Sequence, residues 1–257
     1  NTPQFFVGET TSALVDIGAA TLAFNGDGTV SARPGIVTAV PARIIGTGNV
    51  ALLAAGAATG TRSITVNDGS GLIELTIVPG LIDQPGTSPV PANLNKAGAG
   101  RLNLAGAGTY AGTTTVAAGV LRIQHVDALG DTPGTPTVTT VNNGAALELD
   151  ITGTNTIDNE TITTNGSGII NGPITPFFTT ALGTGALRNI SGINTITAPS
   201  STSIVTMASN SLVTVDSGRL IFNGVFTGAA FTLLKAGSGD LELGGDTDNA
   251  FNGNLIV

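Results

Sequence analysis

Leu94-Asn95-Lys96-Ala97-Gly98-Ala99-Gly100-Arg101-Leu102-Asn103-Leu104-Ala105-Gly106 is the stretch from which the fold can be read, because the chain contains it twice. It returns as Leu233-Leu234-Lys235-Ala236-Gly237-Ser238-Gly239-Asp240-Leu241-Glu242-Leu243-Gly244-Gly245, with Lys235 in the place of Lys96. Downstream, Tyr110-Ala111-Gly112 aligns with Phe251-Asn252-Gly253 at a slightly larger offset, so the second copy holds a short insertion. Insertions of that kind belong in loops.

A shorter period lies inside the long one. Gly-x-Leu-x-apolar occurs at Gly100 to Leu104, Gly119 to Ile123, Gly218 to Phe222 and Gly239 to Leu243. Looser versions are Leu22-Ala23-Phe24 after Gly18, Leu75-Thr76-Ile77 after Gly71, and Leu147-Glu148-Leu149 after Gly144. Alternation with period two marks a strand with one buried face. A turn followed by such a strand, every twenty residues or so, is the pattern of a β-solenoid coil. One coil cannot bury its own apolar side and must stack on neighbours. Leu102, Leu104, Leu121 and Ile123 are therefore expected in a shared interior, with Arg101, Asn103 and Arg122 pointing outward. At a strand spacing near 4.8 Å, about 12 coils would give a rod roughly 55 to 60 Å long.

Composition agrees. Of 257 residues 41% are hydrophobic but only 4% aromatic, so the core must be built from small branched side chains, which suit strands. The 37 Gly and 12 Pro supply turns, and charged residues, at 10%, are too few for a helical surface. No long run shows helical spacing of apolar residues. The expected fold class is all-β, a parallel β-helix forming a single elongated domain over residues 1–257.

The formal charge of −8, from 17 acids against 9 bases, repels phosphate backbones and anionic lipid, which argues against nucleic-acid partners. Absence of cysteine excludes disulfides, thiolate catalysis and Cys-ligated zinc. The apolar run Ala51 to Ala58 is broken by Gly56 and too short to span a bilayer, so no membrane insertion is expected within this segment. The sequence begins at Asn1 without Met or a signal peptide, as a processed chain or a fragment would.

Leu94-x-Lys96-x-Gly98-x-Gly100-x-Leu102-x-Leu104-x-Gly106, followed by Thr109-Tyr110-x-Gly112-Thr113-Thr114-Thr115-Val116-x-x-Gly119-x-Leu121-Arg122-Ile123, resembles the autotransporter-associated β-strand repeat, also called the passenger-associated transport repeat. Ala128-Leu129-Gly130 and Gly144 to Leu149 resemble what trails that repeat. The resemblance divides the chain into divergent N-terminal coils (1–93), a complete motif (94–123), intervening coils (124–232) and a truncated second motif (233–257). It implies a right-handed parallel β-helix on a secreted or outer-membrane-displayed protein, chiefly an adhesin or passenger, and it brings no catalytic residues. Full autotransporters also carry a C-terminal translocator β-barrel, which is not among these 257 residues.

Candidate chemistry is sparse. His125, the only histidine, lies near Asp127, but no Gly-x-Ser-x-Gly elbow accompanies it, and it reads as a loop residue. Polysaccharide-acting β-helix enzymes need paired carboxylates, and no two acids are adjacent here. Trp is absent and Tyr110 is the sole tyrosine, expected to pack at a turn between coils as Phe251 would. Asn25-Gly26-Asp27-Gly28 and Asp246-Thr247-Asp248-Asn249 offer oxygen ligands for calcium, yet the same residues are what turns are made of. Lys96 and Lys235 are expected as solvated charges that discourage lateral strand pairing. Asn159, Asn165 and Asn189 head N-glycosylation acceptor patterns, which arise by chance in such a composition.

The expectation is thus a non-enzyme, with no catalytic, cofactor or metal site. It would be a structural or adhesive stalk whose partners are neighbouring repeats of a large chain and a host, matrix or neighbouring-cell surface. The alternative is a subunit that self-associates into an extracellular filament, with Gln4-Phe5-Phe6-Val7 as a strand complementing Asn254-Leu255-Ile256-Val257. A glycan-acting enzyme ranks last.

Overall fold

The computed structural model describes residues 4–7, 13–32, 41–52, 60–68, 74–83, 85, 90–130, 136–169, 183–198, 203–244 and 249–257. Among them every regular element is a β-strand. The chain divides into two compact units, Asn1–Thr132 and Pro133–Val257.

In the first unit three columns of parallel strands take the chain in rotation. The first column stacks β1 (Gln4–Val7), β4 (Gly28–Ala32), β7 (Gly60–Val66), β10 (Ala92–Ala97) and β12 (Thr114–Val116). The second stacks β2 (Leu14–Asp16), β5 (Ala42–Ile45), β8 (Leu75–Ile77), β11 (Arg101–Leu104) and β13 (Gly119–Ile123). The third holds β3 (Leu22–Phe24), β6 (Asn49–Leu52) and β9 (Gly80–Ile82). Each circuit visits the columns in order and returns one rung further along. That is a parallel β-solenoid.

Register builds the core. Ala42, Leu75, Leu102 and Leu121 form one interior file, and Ile44, Ile77, Leu104 and Ile123 the next. All eight are at most 2% exposed. Each fully buried Leu or Ile contributes about 1.5–3 kcal/mol by leaving water. Arg101 and Arg122 lie on the opposite side of their strands and are half-buried. Asn103 shares that outward side but is only 3% exposed, flanked in register by Thr76 and Arg122 and donating to Gln124 Oε1 at 2.8 Å.

The uniform short coil does not hold along the unit. The motif keeps it, with Leu94 over Thr114 and Leu102 over Leu121. Earlier rungs set Gln4 against Thr29, Gly28 against Ile64 and Gly60 against Ala92, each a longer circuit than the motif's own. The added residues lie between strands, where lengthening leaves the ladders intact. Among the described residues the short coils also form no strand on the third side. There Gly108 N–H bonds Asp127 O and Thr109 N–H bonds Leu81 O, each at 2.8 Å.

The second unit uses longer strands that bend around corners. Its first column contains β14 (Thr137–Val141), β16 (Glu160–Gly166), the start of β18 (Ser203–Val215), β20 (Val225–Ala229) and β23 (Ala250–Phe251). Its second contains the starts of β15 (Ala145–Ile157) and β17 (Leu187–Thr197), the end of β18, β21 (Thr232–Ala236) and β24 (Asn254–Ile256). Its third contains the ends of β15 and β17, β19 (Arg219–Asn223) and β22 (Asp240–Gly244). Register shifts around Asp150 mark the corner of β15. Circuit length varies here too: a short one sets Arg219 against Asp240, and a far longer one sets Ile162 against Val205. Phe222 stacks on Phe226 at 5.9 Å, and Phe226 meets Phe251 edge-on at 5.4 Å.

The repeat folds alike in both places. β10, the turn at 98–100 and β11 correspond to β21, the turn at 237–239 and β22.

Candidate functional site

Lys96 occupies the most unusual position in the motif. Ala92, Leu94 and Lys96 alternate with Asn93, Asn95 and Ala97 along β10, and the first set faces inward. Register places Lys96 between Ile64 of the preceding coil and Val116 of the following one. The side chain is 0% exposed. Its ammonium donates to Ala97 O at 3.0 Å, Gly98 O at 2.8 Å and Ala118 O at 2.9 Å. Three donors thus meet three carbonyls from two consecutive coils, at the corner where the chain turns away from the ladder.

Glycine makes that corner. Gly98 has φ +77°, and a Cβ there would lie 2.3 Å from Val66 O; Gly119, one coil on, has φ +67°, and its Cβ would lie 2.4 Å from Gly98 O. Only a residue without a side chain allows both the left-handed backbone and this approach.

Burial pushes the Lys96 ammonium down to about 7, while the Glu74 carboxylate pulls it back up. Glu74 is itself 2% exposed and accepts the Arg101 N–H at 2.6 Å. The expectation of a solvated lysine is therefore corrected: Lys96 is a buried cross-coil clamp. The alternation that puts Leu94 inside puts Lys96 inside too, so the sequence carries the signal. Lys235 makes the equivalent bond to Gly237 O at 2.7 Å but is half-buried. With Asp240, Leu241, Leu243, Leu255 and Val257 it borders a cavity of about 230 Å³.

Other buried polar groups serve the same end. Arg62 Nε donates to Phe24 O and its Nη1 to Thr61 O, both at 3.1 Å. Arg188 bridges Glu148 at 3.1 Å and Asp216 at 2.7 Å, covering a Glu148 that is 0% exposed. Asn189 donates to Gly192 O and Ser217 O, and Asn194 donates to Asn189 Oδ1 at 2.6 Å. These are corner caps built from amides.

The residues singled out by chemistry fall as follows. His125 Nδ1 accepts the Asp127 backbone N–H at 3.1 Å, whereas a triad needs Nδ1–H donating to a carboxylate. Asp27 Oδ1 accepts the Ser63 N–H at 2.8 Å, and Asn249 Oδ1 accepts the Phe226 N–H at 2.9 Å, so each side chain ties its segment to a neighbouring coil. Residues 246–248 lie outside the described residues, as do Gly56 and Gly71. Among the described residues no group of three or more His, Asp or Glu is placed to hold a metal ion, and no helix is long and apolar enough to cross a membrane. Tyr110 is fully buried at its turn, its hydroxyl 2.5 Å from Thr114 Oγ1. Asn189 is 0% exposed, while Asn159 and Asn165 are half-buried.

Glu160 is a residue that the sequence does not single out. It is 1% exposed at the start of β16, and burial pushes its carboxyl up to about 7.

Neither the curated proteins nor the solved structures contain a match to this chain. Residues 94–123, the complete motif with its buried Lys96, match the family model of the passenger-associated-transport-repeat.

Proposed function

We propose that this chain is a non-catalytic structural or adhesive segment of a large secreted or cell-surface protein, acting as a rigid stalk or spacer. The observation that carries the reading is the fate of Lys96. The charged residue at the heart of the passenger repeat is spent on tying one coil to the next, with all three donors committed to backbone carbonyls. The bridge from Arg188 to the buried Glu148 and the part-exposed Asp216 does the same between rungs of the second unit. Ammonium donors so committed are not offered to a substrate. The passenger repeat supports secretion and surface display.

Limited proteolysis of the folded chain tests this. Only 9 Lys and Arg are present, and Arg62 and Lys96 are buried in strands. Trypsin should leave large fragments for hours; rapid conversion to small peptides would refute a rigid stack. A second reading, assembly into filaments through rung-to-rung contacts, is favoured by the exposed apolar strand β24, where Leu255 is 53% and Ile256 47% exposed. Electron microscopy separates the readings, discrete particles supporting the spacer and long fibres the filament. Turnover on any member of a polysaccharide panel would overturn both.

A further inference from the structure

We propose that the folded second unit carries Glu160 as the neutral acid, hydrogen-bonded within a pocket of threonine hydroxyls, and that losing this proton loosens the coil stack. This switch is independent of the spacer reading.

Geometry comes first. Register sets Glu160 over Thr137 and Ile162 over Thr139, with Glu160, Ile162 and Thr164 on the inward side of β16. The carboxyl is 1% exposed and Thr139 is 0% exposed. Glu160 Oε2 accepts the Thr137 hydroxyl at 2.5 Å. Glu160 Oε1 and Thr139 Oγ1 make no hydrogen bond of proper geometry. A carboxylate would leave Oε1 buried with only the poorly aligned Thr139 hydroxyl and amide beside it, which is costly, whereas a carboxylic acid brings a donor of its own.

Among the described residues no cation compensates. β14 and β18, which pack on β16, contain no charged residue, and neither does β20. β17 contributes Arg188, already held by Glu148 and Asp216. The remaining charged groups are acids: Asp158 at the head of β16, which accepts the Thr197 hydroxyl at 2.6 Å, and Glu148 and Asp150 on β15. Threonine hydroxyls, and no cation, thus meet the Glu160 carboxyl.

Burial raises the carboxyl from 4.5 to about 7, against the Thr137 and Thr139 hydroxyls and the Thr139 amide, which pull it down. The unfolded chain then releases this proton near the ordinary value while the folded unit keeps it. Stability from this group is complete below pH 4.5 and is lost as pH climbs to about 7, where it levels off. Across that window the unfolding equilibrium constant rises about 300-fold.

The test is carboxyl NMR on the full chain labelled at the glutamate δ-carbon, which gives five resonances for the 5 Glu of the sequence. One should titrate near neutrality and disappear in Glu160→Gln. Denaturant unfolding should show wild type losing stability relative to Glu160→Gln between about pH 4.5 and about pH 8, by roughly 300-fold in equilibrium constant. If the glutamine variant does not fold, Thr137→Val assigns the resonance by shifting it. A spectrum in which every glutamate titrates below about pH 5.5, or parallel pH profiles for the two proteins, overturns the proposal.

Discussion

Replacing Lys96 by methionine keeps an unbranched chain between Ile64 and Val116 and removes only the ammonium. Two effects compete. Taking a buried charge away saves its desolvation penalty, and buried ion pairs exchanged whole for apolar residues are often neutral or better. Here, however, the Glu74 carboxylate, 2% exposed, loses a favourable nearby charge. Three corner carbonyls also lose a charged donor, at about 1–3 kcal/mol for each one left unsatisfied. The second effect wins, for a net loss of about 3 kcal/mol. Tyr110 is the sole tyrosine, Trp is absent, and Tyr110 is buried in the first unit, so its fluorescence reports that unit. With a urea slope near 2 kcal/mol/M, the midpoint should fall by about 1.5 M. The pH profile supplies a second signature. Burial holds Lys96 at about 7, below its ordinary 10.5, so between these values the unfolded chain binds more protons and stability rises with pH. Wild type should gain about 2 kcal/mol from pH 7 to 9, and Lys96→Met should lack that gain. A methionine variant as stable as wild type, with the same pH slope, would refute the clamp.

Further outcomes follow from the coil packing within each unit. Gly119→Ala should cost about 3 kcal/mol or more in thermal or urea unfolding, since the left-handed backbone adds about 1–2 kcal/mol and a Cβ would sit 2.4 Å from Gly98 O. Gly144→Ala, at φ +80° with open space around it, should cost only the backbone part. Tyr110→Phe loses the bond to the Thr114 hydroxyl and should cost about 1 kcal/mol by circular dichroism melts, while Tyr110→Ala should cost about 3–5 kcal/mol. Arg188→Met leaves the fully buried Glu148 without its cation and should cost about 3–5 kcal/mol, most of which Glu148→Gln restores in the double variant.

Much of the fold is legible because a solenoid writes its geometry locally. All four Gly-x-Leu-x-apolar segments are strands, as β11, β13, β19 and β22, and Leu22–Phe24 and Leu75–Ile77 are β3 and β8. Strand parity alone puts Leu102 and Leu121 inside, without any knowledge of neighbours. Coil length is not legible, since an insertion between strands changes the interval and leaves the ladder intact, as with Gly28 against Ile64. Lys96 departs from the expectation because a charged residue is ordinarily outside, although its parity with Leu94 says otherwise. Glu160 carries no signal: that its stack contains hydroxyls and no base depends on β18, which arrives only after a long intervening circuit.

The register of the motif coils can be tested covalently, because the chain has no cysteine. Asn95 and Thr115 face each other across β10 and β12 on the outward side. Adjacent strands bring such Cα atoms about 4.8 Å apart, inside the range a disulfide spans. Asn95→Cys with Thr115→Cys should cross-link under mild oxidation, seen as a faster band on a non-reducing gel, while Asn95→Cys with Val116→Cys should not, Val116 pointing inward. Cross-linking of the second pair and not the first would contradict the stacked parallel coil.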